Sequence, residues 1–220
     1  MSTETQTPAV DRGIVERIRA SPFLSQLLSN RLAVTGLGII ALVVALAVYA
    51  RFTYDLETLL ATQFGVNPDE APPSAQYPFG TDGQARNIFP RVLYGAWYAI
   101  LYGTVTVAAS TALGVGLGIV AAYYGDLTDN VIMRTMDVLL SFPSLLLALA
   151  LVTIFPEELG LWRAVGALTL VYTPRFARVV RGAALKVLED EYTDATRALG
   201  ATDPRLLIRH VLPNCLAPIT

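Results

Sequence analysis

Residues 96–124 read AWYAILYGTVTVAASTALGVGLGIVAAYY and contain no charged side chain. They lie within an uncharged run of 34 residues between Arg91 and Asp126. A helix crosses the hydrocarbon core of a bilayer, roughly 30 Å thick, in about 20 residues. The stretch is therefore long enough for one membrane-spanning helix with residues to spare. The excess length predicts a helix that tilts or that begins in the interface.

The composition of the whole chain also indicates a membrane protein. Of its 220 residues, 54% are hydrophobic and 15% are charged, whereas soluble domains carry about 25% charged residues. The mean hydropathy is +0.50. Two further apolar runs, residues 32–50 and 138–155, approach the length of a membrane span. The second contains Pro143, which removes a backbone donor and predicts a kink.

A fourth apolar run is short. Arg163 and Arg175 enclose 11 uncharged residues, about 17 Å of helix at 1.5 Å per residue. This run crosses the membrane only if residues 176–180 extend it and the arginine side chains reach the interface. The alternative is a re-entrant or surface helix. With four spans and the N-terminus inside, 12 of the 16 basic residues lie on the cytoplasmic side, as the positive-inside rule favours.

These runs predict an all-α, multi-pass protein of the cell (plasma) membrane, with both chain ends in the cytoplasm. A cleavable signal sequence is the alternative for the first run, because Ala45-Leu46-Ala47 resembles a peptidase site. The first apolar run is, however, longer than the usual 7–15 residues of a signal core. The predicted parts are a cytoplasmic tail, the first transmembrane helix, an external loop and a helical core, at residues 1–31, 32–50, 51–95 and 96–220.

Residue counts exclude several functional classes. One histidine, His210, and one cysteine, Cys215, cannot supply a multi-histidine metal site or an intrachain disulfide. The only lysine, Lys186, does not lie in a phosphate-binding GxxxxGK loop. The net charge of −2 gives no reason to expect a nucleic-acid partner. We therefore predict no catalytic residue, no metal and no cofactor in this chain; any ATP is bound by another chain.

Two short-range spacings predict local contacts. Gly114 and Gly118 form a GxxxG pair, which lets another helix approach closely in lipid; a hinge is the alternative. Arg134 and Asp137 are three residues apart and can share a helix face. We expect an ion pair between them at the membrane boundary, with a proton relay as the alternative.

The segment after the fourth run has the pattern of a short helix that ends at a glycine. Leu188, Tyr192, Ala195 and Leu199 form an apolar stripe at helical spacing. Gly200 stands where a left-handed helix C-cap is favoured. By pattern alone, the helix fits either a partner-docking element or one that lies on lipid.

A second short helix is predicted to follow directly. Thr202 or Asp203 can cap it, and Pro204 suits its first position. Pro213 is expected to limit its continuation. The result is a helix, a glycine turn and a second helix in the cytoplasm.

The same segment resembles the EAA loop of binding-protein-dependent ABC importer permeases. The likeness rests on Asp194-Ala195-Thr196, Gly200 and Leu212-Pro213. Longer strings narrow the resemblance to the dipeptide, oligopeptide and nickel family, and within it to the C-type subunit. These strings are Glu191-Tyr192, Arg197-Ala198-Leu199-Gly200-Ala201, Arg209-His210-Val211-Leu212-Pro213-Asn214, Phe79-Gly80-Thr81-Asp82, Arg91-Val92-Leu93-Tyr94-Gly95-Ala96, Met133-Arg134, Phe142-Pro143 and Ala177-Arg178-Val179-Val180-Arg181-Gly182.

The resemblance implies the type I ABC importer permease (MetI-like) fold, present in part as about four transmembrane helices and a cytoplasmic coupling helix. It implies a permease subunit for peptides or nickel-type small solutes, which is not itself an enzyme. The implied partners are a second permease, two ATP-binding subunits that carry ATP and Mg, an extracytoplasmic solute-binding protein and the bilayer. The implied coupling residues are Glu191, Asp194, Ala195, Thr196, Gly200, His210, Leu212 and Pro213, and the other motif residues are Gly80, Thr81, Asp82, Arg134, Asp137, Pro143, Arg178 and Arg181.

The sequence departs from the family pattern at several positions. Asp194 and Thr196 replace the usual glutamate and second alanine, and Ala85-Arg86-Asn87 stands where the family has GRD. Tyr77 and Trp97 replace a histidine and an arginine. Members of the family continue with two more spans, so we expect a C-terminally incomplete core. That expectation makes a non-transporting membrane assembly or regulatory protein the alternative function.

Overall fold

In a computed structural model of the chain, the described residues are 27–215, and they form helices joined by turns with no β-strand among them. The chain divides into two compact units, Met1–Trp97 and Tyr98–Thr220. Two of the described helices are long and apolar enough to cross a membrane, Arg31–Thr53 and Ile88–Tyr124. A bent pair, Asp126–Ser141 with Ser144–Ile154, makes a third if it is counted as one span.

Helix α1, Arg31–Thr53, belongs to the first unit. Asn30 caps it, because its side-chain oxygen accepts hydrogen bonds from the backbone N–H groups of Leu32 and Ala33. Most of its apolar side chains are exposed, which suits a helix surrounded by hydrocarbon. A short helix α2, Leu56–Leu60, follows and is capped by Asp55.

Helix α3, Ile88–Tyr124, runs for 37 residues from the first unit into the second. It begins eight residues before the predicted start of the core at residue 96. Pro90 does not interrupt it, because backbone N–H groups in the first turn of a helix have no intrahelical partner. The charged Arg91 therefore lies inside the helix rather than in a loop.

The second unit continues with shorter helices. They are α4, Asp126–Ser141; α5, Ser144–Ile154; a 3₁₀ turn, Glu157–Leu159; α6, Trp162–Leu188; α7, Glu191–Ala198; α8, Asp203–Leu206; a π-helical turn, Leu207–Val211; and α9, Leu212–Cys215.

The kink predicted at Pro143 is a break between two helices. The axes of α4 and α5 differ in direction by 100°, and Phe142 between them is extended, with ψ 141°. A residue before proline is pushed out of the helical region by the proline ring. The third span expected over residues 138–155 is therefore a bent pair: the run contains the end of α4, the break and all of α5, and the two helices together are long and apolar enough for one span.

The fourth apolar run lies within a continuous helix, α6, which passes through Pro174 and extends to Leu188. It does not meet the apolarity criterion for a span because Arg175, Arg178 and Arg181 interrupt its apolar residues. Many of its side chains are nevertheless buried within the second unit. Helix α6 is the element against which α3, α4 and α5 pack.

The GxxxG pair of α3 packs against α6, as predicted. A Cβ added at Gly118 would lie 2.6 Å from the carbonyl oxygen of Ala177, and one at Gly114 would overlap the Cβ of Phe176. Gly116, between them, has open space on its side. The two glycines therefore allow a close approach of α3 and α6 that no larger side chain permits.

One hydrophobic cluster joins these helices to the C-terminal segment. It contains Ile119 and Ala122 of α3, Val180, Ala184 and Val187 of α6, and Val211 and Cys215 of the last two helical turns. The segment after α6 is therefore anchored to both long helices by apolar contacts.

Candidate functional site

The segment from α7 to α9 places its predicted apolar stripe on the surface. Leu188 packs against the core cluster, whereas Tyr192, Ala195 and Leu199 are exposed, and 89% of Leu199 is accessible to solvent. The buried member of α7 is Thr193, whose hydroxyl donates a hydrogen bond of 2.8 Å to the carbonyl of Val187. The spacing alone did not identify Thr193. Its signal is that it follows the end of α6 by five residues, where its hydroxyl can add a hydrogen bond to a carbonyl of the last turn.

The turn after α7 has the predicted left-handed glycine. Gly200 has φ +84°, and the N–H of Ala201 donates to the carbonyl of Thr196 at 3.3 Å. This bond, five residues back along the chain, is the mark of a Schellman-type helix end. The apolar tip at Leu199 is therefore presented by a defined turn.

Helix α8 begins as predicted, but its capping differs. Thr202 occupies the cap position without a side-chain cap bond. Asp203 instead accepts a hydrogen bond of 2.5 Å from the hydroxyl of Tyr123, near the end of α3. This contact joins the segment from α7 to α9 to α3 through polar groups.

The prediction that Pro213 limits the second helix is wrong. The helical path continues through the π turn, and the N–H of Leu212 donates to the carbonyl of Leu207, five residues back. Proline lacks an N–H and its ring clashes with the carbonyl four residues earlier. A wider π turn makes room for that ring, so α9 continues to Cys215.

Two side chains tie the end of this segment back to α7. Asn214 donates to the carbonyl of His210 at 2.7 Å and to the hydroxyl of Tyr192 at 3.2 Å. The rings of Tyr192 and His210 lie 6.4 Å apart between centroids. His210 therefore has a place in the packing of the segment. Of the other predicted coupling residues, Leu212 is half-buried, Thr196 bonds its own helix through the carbonyl of Tyr192, and Glu191, Asp194 and Pro213 are exposed.

A second group of predicted residues meets between α4 and α6. Arg181 makes a two-pronged ion pair with Asp129, and Arg178 pairs with Asp137. The expected pair of Arg134 with Asp137 is wrong, because Asp137 faces α6 and takes its partner from there. No carboxylate of residues 27–215 lies within 4.0 Å of the Arg134 guanidinium.

The third group secures the loop between α2 and α3. Gly80 has φ +75° and lies against the carbonyl of Ala71. The hydroxyl of Thr81 donates to the carbonyl of Pro68 and accepts from the N–H of Ala71. Asp82 accepts from the N–H groups of Gln84 and Arg86 and forms ion pairs with Arg86 and Arg91. The three residues therefore hold the loop's fold and are not free to bind a ligand.

The family departures in this loop have structural counterparts. Ala85, which stands where the family has glycine, adopts a left-handed φ of +58° and is buried. Tyr77, in place of histidine, donates to the side-chain carbonyl of Asn67. Arg86 keeps its role as the partner of Asp82. The loop therefore retains the ion pair between Asp82 and Arg86 despite these changes.

Replacing Asp82 with asparagine is expected to loosen this loop and to reduce its resistance to acid. Hydrogen bonding from Arg86 holds the pKa of the Asp82 carboxyl well below its ordinary value of 3.8. A lowered pKa stabilises the folded loop above the ordinary value, and that stability is lost as pH falls toward the folded value. Pepsin digestion between pH 4 and pH 2 should cut the parent loop faster as pH falls.

Asp82→Asn should be cut quickly across that whole range and lose the pH dependence. Asp69→Asn is the control, because it removes a charge from the same loop and leaves the ion pairs of Asp82 intact. Equal pH profiles for the parent chain and Asp82→Asn would contradict this role for the carboxylate.

These groups make hydrogen bonds and ion pairs within the fold, and α7 with its turn presents an exposed apolar face. Within residues 27–215, no three histidine, cysteine, aspartate or glutamate side chains are arranged to hold a metal. Thr193 fixes α7 to the end of α6, and ion pairs join α4 to α6.

Two known families match the chain. Residues 114–220 match the family described as "Binding-protein-dependent transport system inner membrane component". Residues 21–73 match the "N-terminal TM domain of oligopeptide transport permease C". The chain belongs to the family of binding-protein-dependent ABC transporter permeases. The match over residues 114–220 contains the GxxxG pair, both ion pairs of α4 with α6, and the segment from α7 to α9.

Relatives of the permease carry names that refer to peptides. A putative peptide transport system permease protein of Brucella suis is 43% identical over 67% of this chain and 49% of its own length. A dipeptide transport system permease protein of Alkalihalophilus pseudofirmus is 38% identical over 88% of this chain and 62% of its own length. A glutathione transport system permease protein of Pectobacterium atrosepticum is 34% identical over 90% of this chain and 64% of its own length. The chain thus spans about half to two thirds of the length of these curated relatives.

These matches confirm the family inferred from the motifs and the MetI-like, all-α membrane fold. The permease is an integral membrane protein. Its family consists of the membrane subunits of ABC transporters, which are not themselves enzymes.

Proposed function

We propose that this permease is a membrane subunit of an ATP-driven importer for peptides. In this proposal, ATP is hydrolysed by separate subunits, and the segment from α7 to α9 receives their movement. The partners are a second permease, two ATP-binding subunits with ATP and Mg, and an external solute-binding protein. The N-terminus and the coupling segment lie in the cytoplasm, as the distribution of basic residues favours.

The observation that carries the proposal is the arrangement of α7. Tyr192, Ala195 and Leu199 are exposed on a helix that is too short to be stable alone. Exposed apolar groups on a held helix are typical of a surface that another protein covers. The base of the helix is fixed by the buried Thr193, so a force on its exposed face moves the helix as a unit.

Contacts of the segment from α7 to α9 connect it to the long helices α3 and α6. The apolar cluster connects the π turn and α9 with α3 and α6. The hydrogen bond from Tyr123 to Asp203 adds a direct link between α8 and α3. The ion pairs of α6 with α4 extend the connection to a third helix. Closure of the ATPases would therefore shift several helices together.

Peptides are proposed as the substrate because the relatives are named for peptides, dipeptides, oligopeptides and glutathione. A nickel complex is the other class in the resembled family. Uptake of a radiolabelled dipeptide and of nickel by cells that express the assembled transporter distinguishes the two. Uptake of nickel that a dipeptide does not inhibit would replace the peptide proposal.

Replacing Leu199 with aspartate tests the docking face. Because the side chain is almost fully exposed, the substitution should leave the fold of the chain intact. A charge in the centre of an apolar contact should weaken association with the ATP-binding subunits about 30-fold, as loss of a central contact residue commonly does. Co-purification of the ATP-binding subunits and dipeptide uptake measure the effect.

Val66→Asp is the matched control. Val66 is 79% exposed in the loop of the first unit, outside the segment proposed to dock. It should keep parental uptake and parental co-purification. If Leu199→Asp also retains both, α7 is not the docking element.

A further inference from the structure

A polar cleft of about 540 Å³ lies between α4 and α6. Its lining comes from two ion pairs, Asp129 with Arg181 and Asp137 with Arg178, together with Asn130, Met133 and Arg134. None of the residues that line the cleft belongs to the segment from α7 to α9. Its charges are not used by the proposed transport mechanism beyond holding α4 to α6.

The charges of the cleft do not balance. Three guanidinium groups face two carboxylates, and both carboxylates are already paired with arginines of α6. Arg134 lines the cleft and has no carboxylate within 4.0 Å among the described residues. Arg178 contacts Asp137 through one nitrogen only, so its other donors are available. Two guanidinium groups with unused donors favour a phosphate, which accepts several charged hydrogen bonds at once.

The outer face of α4 indicates where that phosphate comes from. Leu127, Val131 and Val138 are exposed along one face of α4, and helical spacing places Arg134 on that face, seven residues after Leu127 and four before Val138. An exposed apolar face that carries an arginine fits a helix at the boundary of a bilayer, where the guanidinium reaches toward the headgroups. Basic pockets between membrane helices are known to hold lipid headgroups. A phospholipid bound here would place its phosphate in the cleft and its acyl chains along the exposed apolar side chains of α4.

We infer that the cleft between α4 and α6 binds the phosphate of an anionic phospholipid headgroup through Arg134 and Arg178. The lipid completes the charge balance of the cleft and bridges the two helices from the membrane side. This inference requires membrane insertion of the chain but does not depend on transport or on its substrate.

The test uses the whole chain in nanodiscs of phosphatidylcholine, with or without 20% phosphatidylglycerol. Native mass spectrometry should find phosphatidylglycerol retained, and thermal unfolding should occur at a higher temperature when it is present. Arg134→Gln should weaken retention at least tenfold and abolish the temperature shift. Arg134→Lys should have an intermediate effect, because an ammonium keeps the charge but lacks the two-pronged geometry.

Arg51→Gln is the control, since it removes the same charge from an exposed position at the end of α1. It should retain the lipid as the parent does. Parental retention by Arg134→Gln would overturn the inference. Displacement of the lipid by millimolar inorganic phosphate would assign the cleft to a soluble anion. Unchanged retention together with loss of a protein partner would assign Arg134 to a carboxylate of that partner.

Discussion

Replacing Gly118 with alanine is expected to destabilise the second unit by about 3 kcal/mol, at the upper end of ordinary overpacking costs. The added methyl group would lie 2.6 Å from the carbonyl oxygen of Ala177 and 2.9 Å from the Cβ of Val180. One of these atoms is backbone and the other is fixed to it, so neither can rotate away. Helices α3 and α6 would have to separate, and the thermal unfolding temperature in detergent should fall by several degrees.

Gly116→Ala is the control for this effect. Gly116 is exposed on the same helix, with no atom within 4 Å of an added Cβ. Alanine there should be neutral or stabilise the helix by about 0.5–1 kcal/mol, because it has the higher helix propensity. Similar unfolding temperatures for both variants would show that the close approach of α3 and α6 contributes nothing specific.

Replacing Gly200 with valine is expected to reduce dipeptide uptake more than tenfold while ATP hydrolysis by the assembled transporter persists. Gly200 has φ +84°, a conformation that costs a residue with a Cβ about 1–2 kcal/mol and costs a β-branched residue more. No atom lies within 4 Å of an added Cβ, so the effect comes from the backbone alone. The turn would reorganise and present Leu199 in a different direction.

Gly200→Asn separates this explanation from a general loss of the segment. Asparagine adopts left-handed conformations more readily than other residues with a Cβ, so uptake should remain near the parental level. Uptake and ATP hydrolysis are measured side by side in reconstituted vesicles. Parental uptake by Gly200→Val, or an equal loss in both variants, would show that the turn geometry does not transmit coupling.

The sequence predicts the long apolar helices well, because an uncharged run has few alternatives in a membrane. It also predicts the glycine contacts, since GxxxG spacing places both residues on one face of α3. The break at Pro143 is harder to predict. Proline shows where a helix is weakened, but the 100° change of direction depends on what α4 and α5 pack against.

The site was predicted less completely than the fold. The spacing of Arg134 and Asp137 favours a local pair, yet Asp137 pairs with Arg178, 41 residues further along the chain. Helical periodicity finds the stripe of Tyr192, Ala195 and Leu199, but does not say whether it faces inward or outward. The burial of Thr193 goes with its hydrogen bond to the carbonyl of Val187 at the end of α6, which only the folded chain shows.

The π turn at Leu207–Val211 constrains how this segment can change in evolution. Each residue rotates an α-helix by about 100°, so a π turn is equivalent to one inserted residue that resets the direction of every side chain after it. Deleting that residue would restore a regular helix and swing Cys215 out of the core. A relative without the turn would need both a replacement of Pro213 and a rebuilt apolar cluster. We therefore expect selection against single deletions in this segment, whereas substitutions on its exposed face should be tolerated.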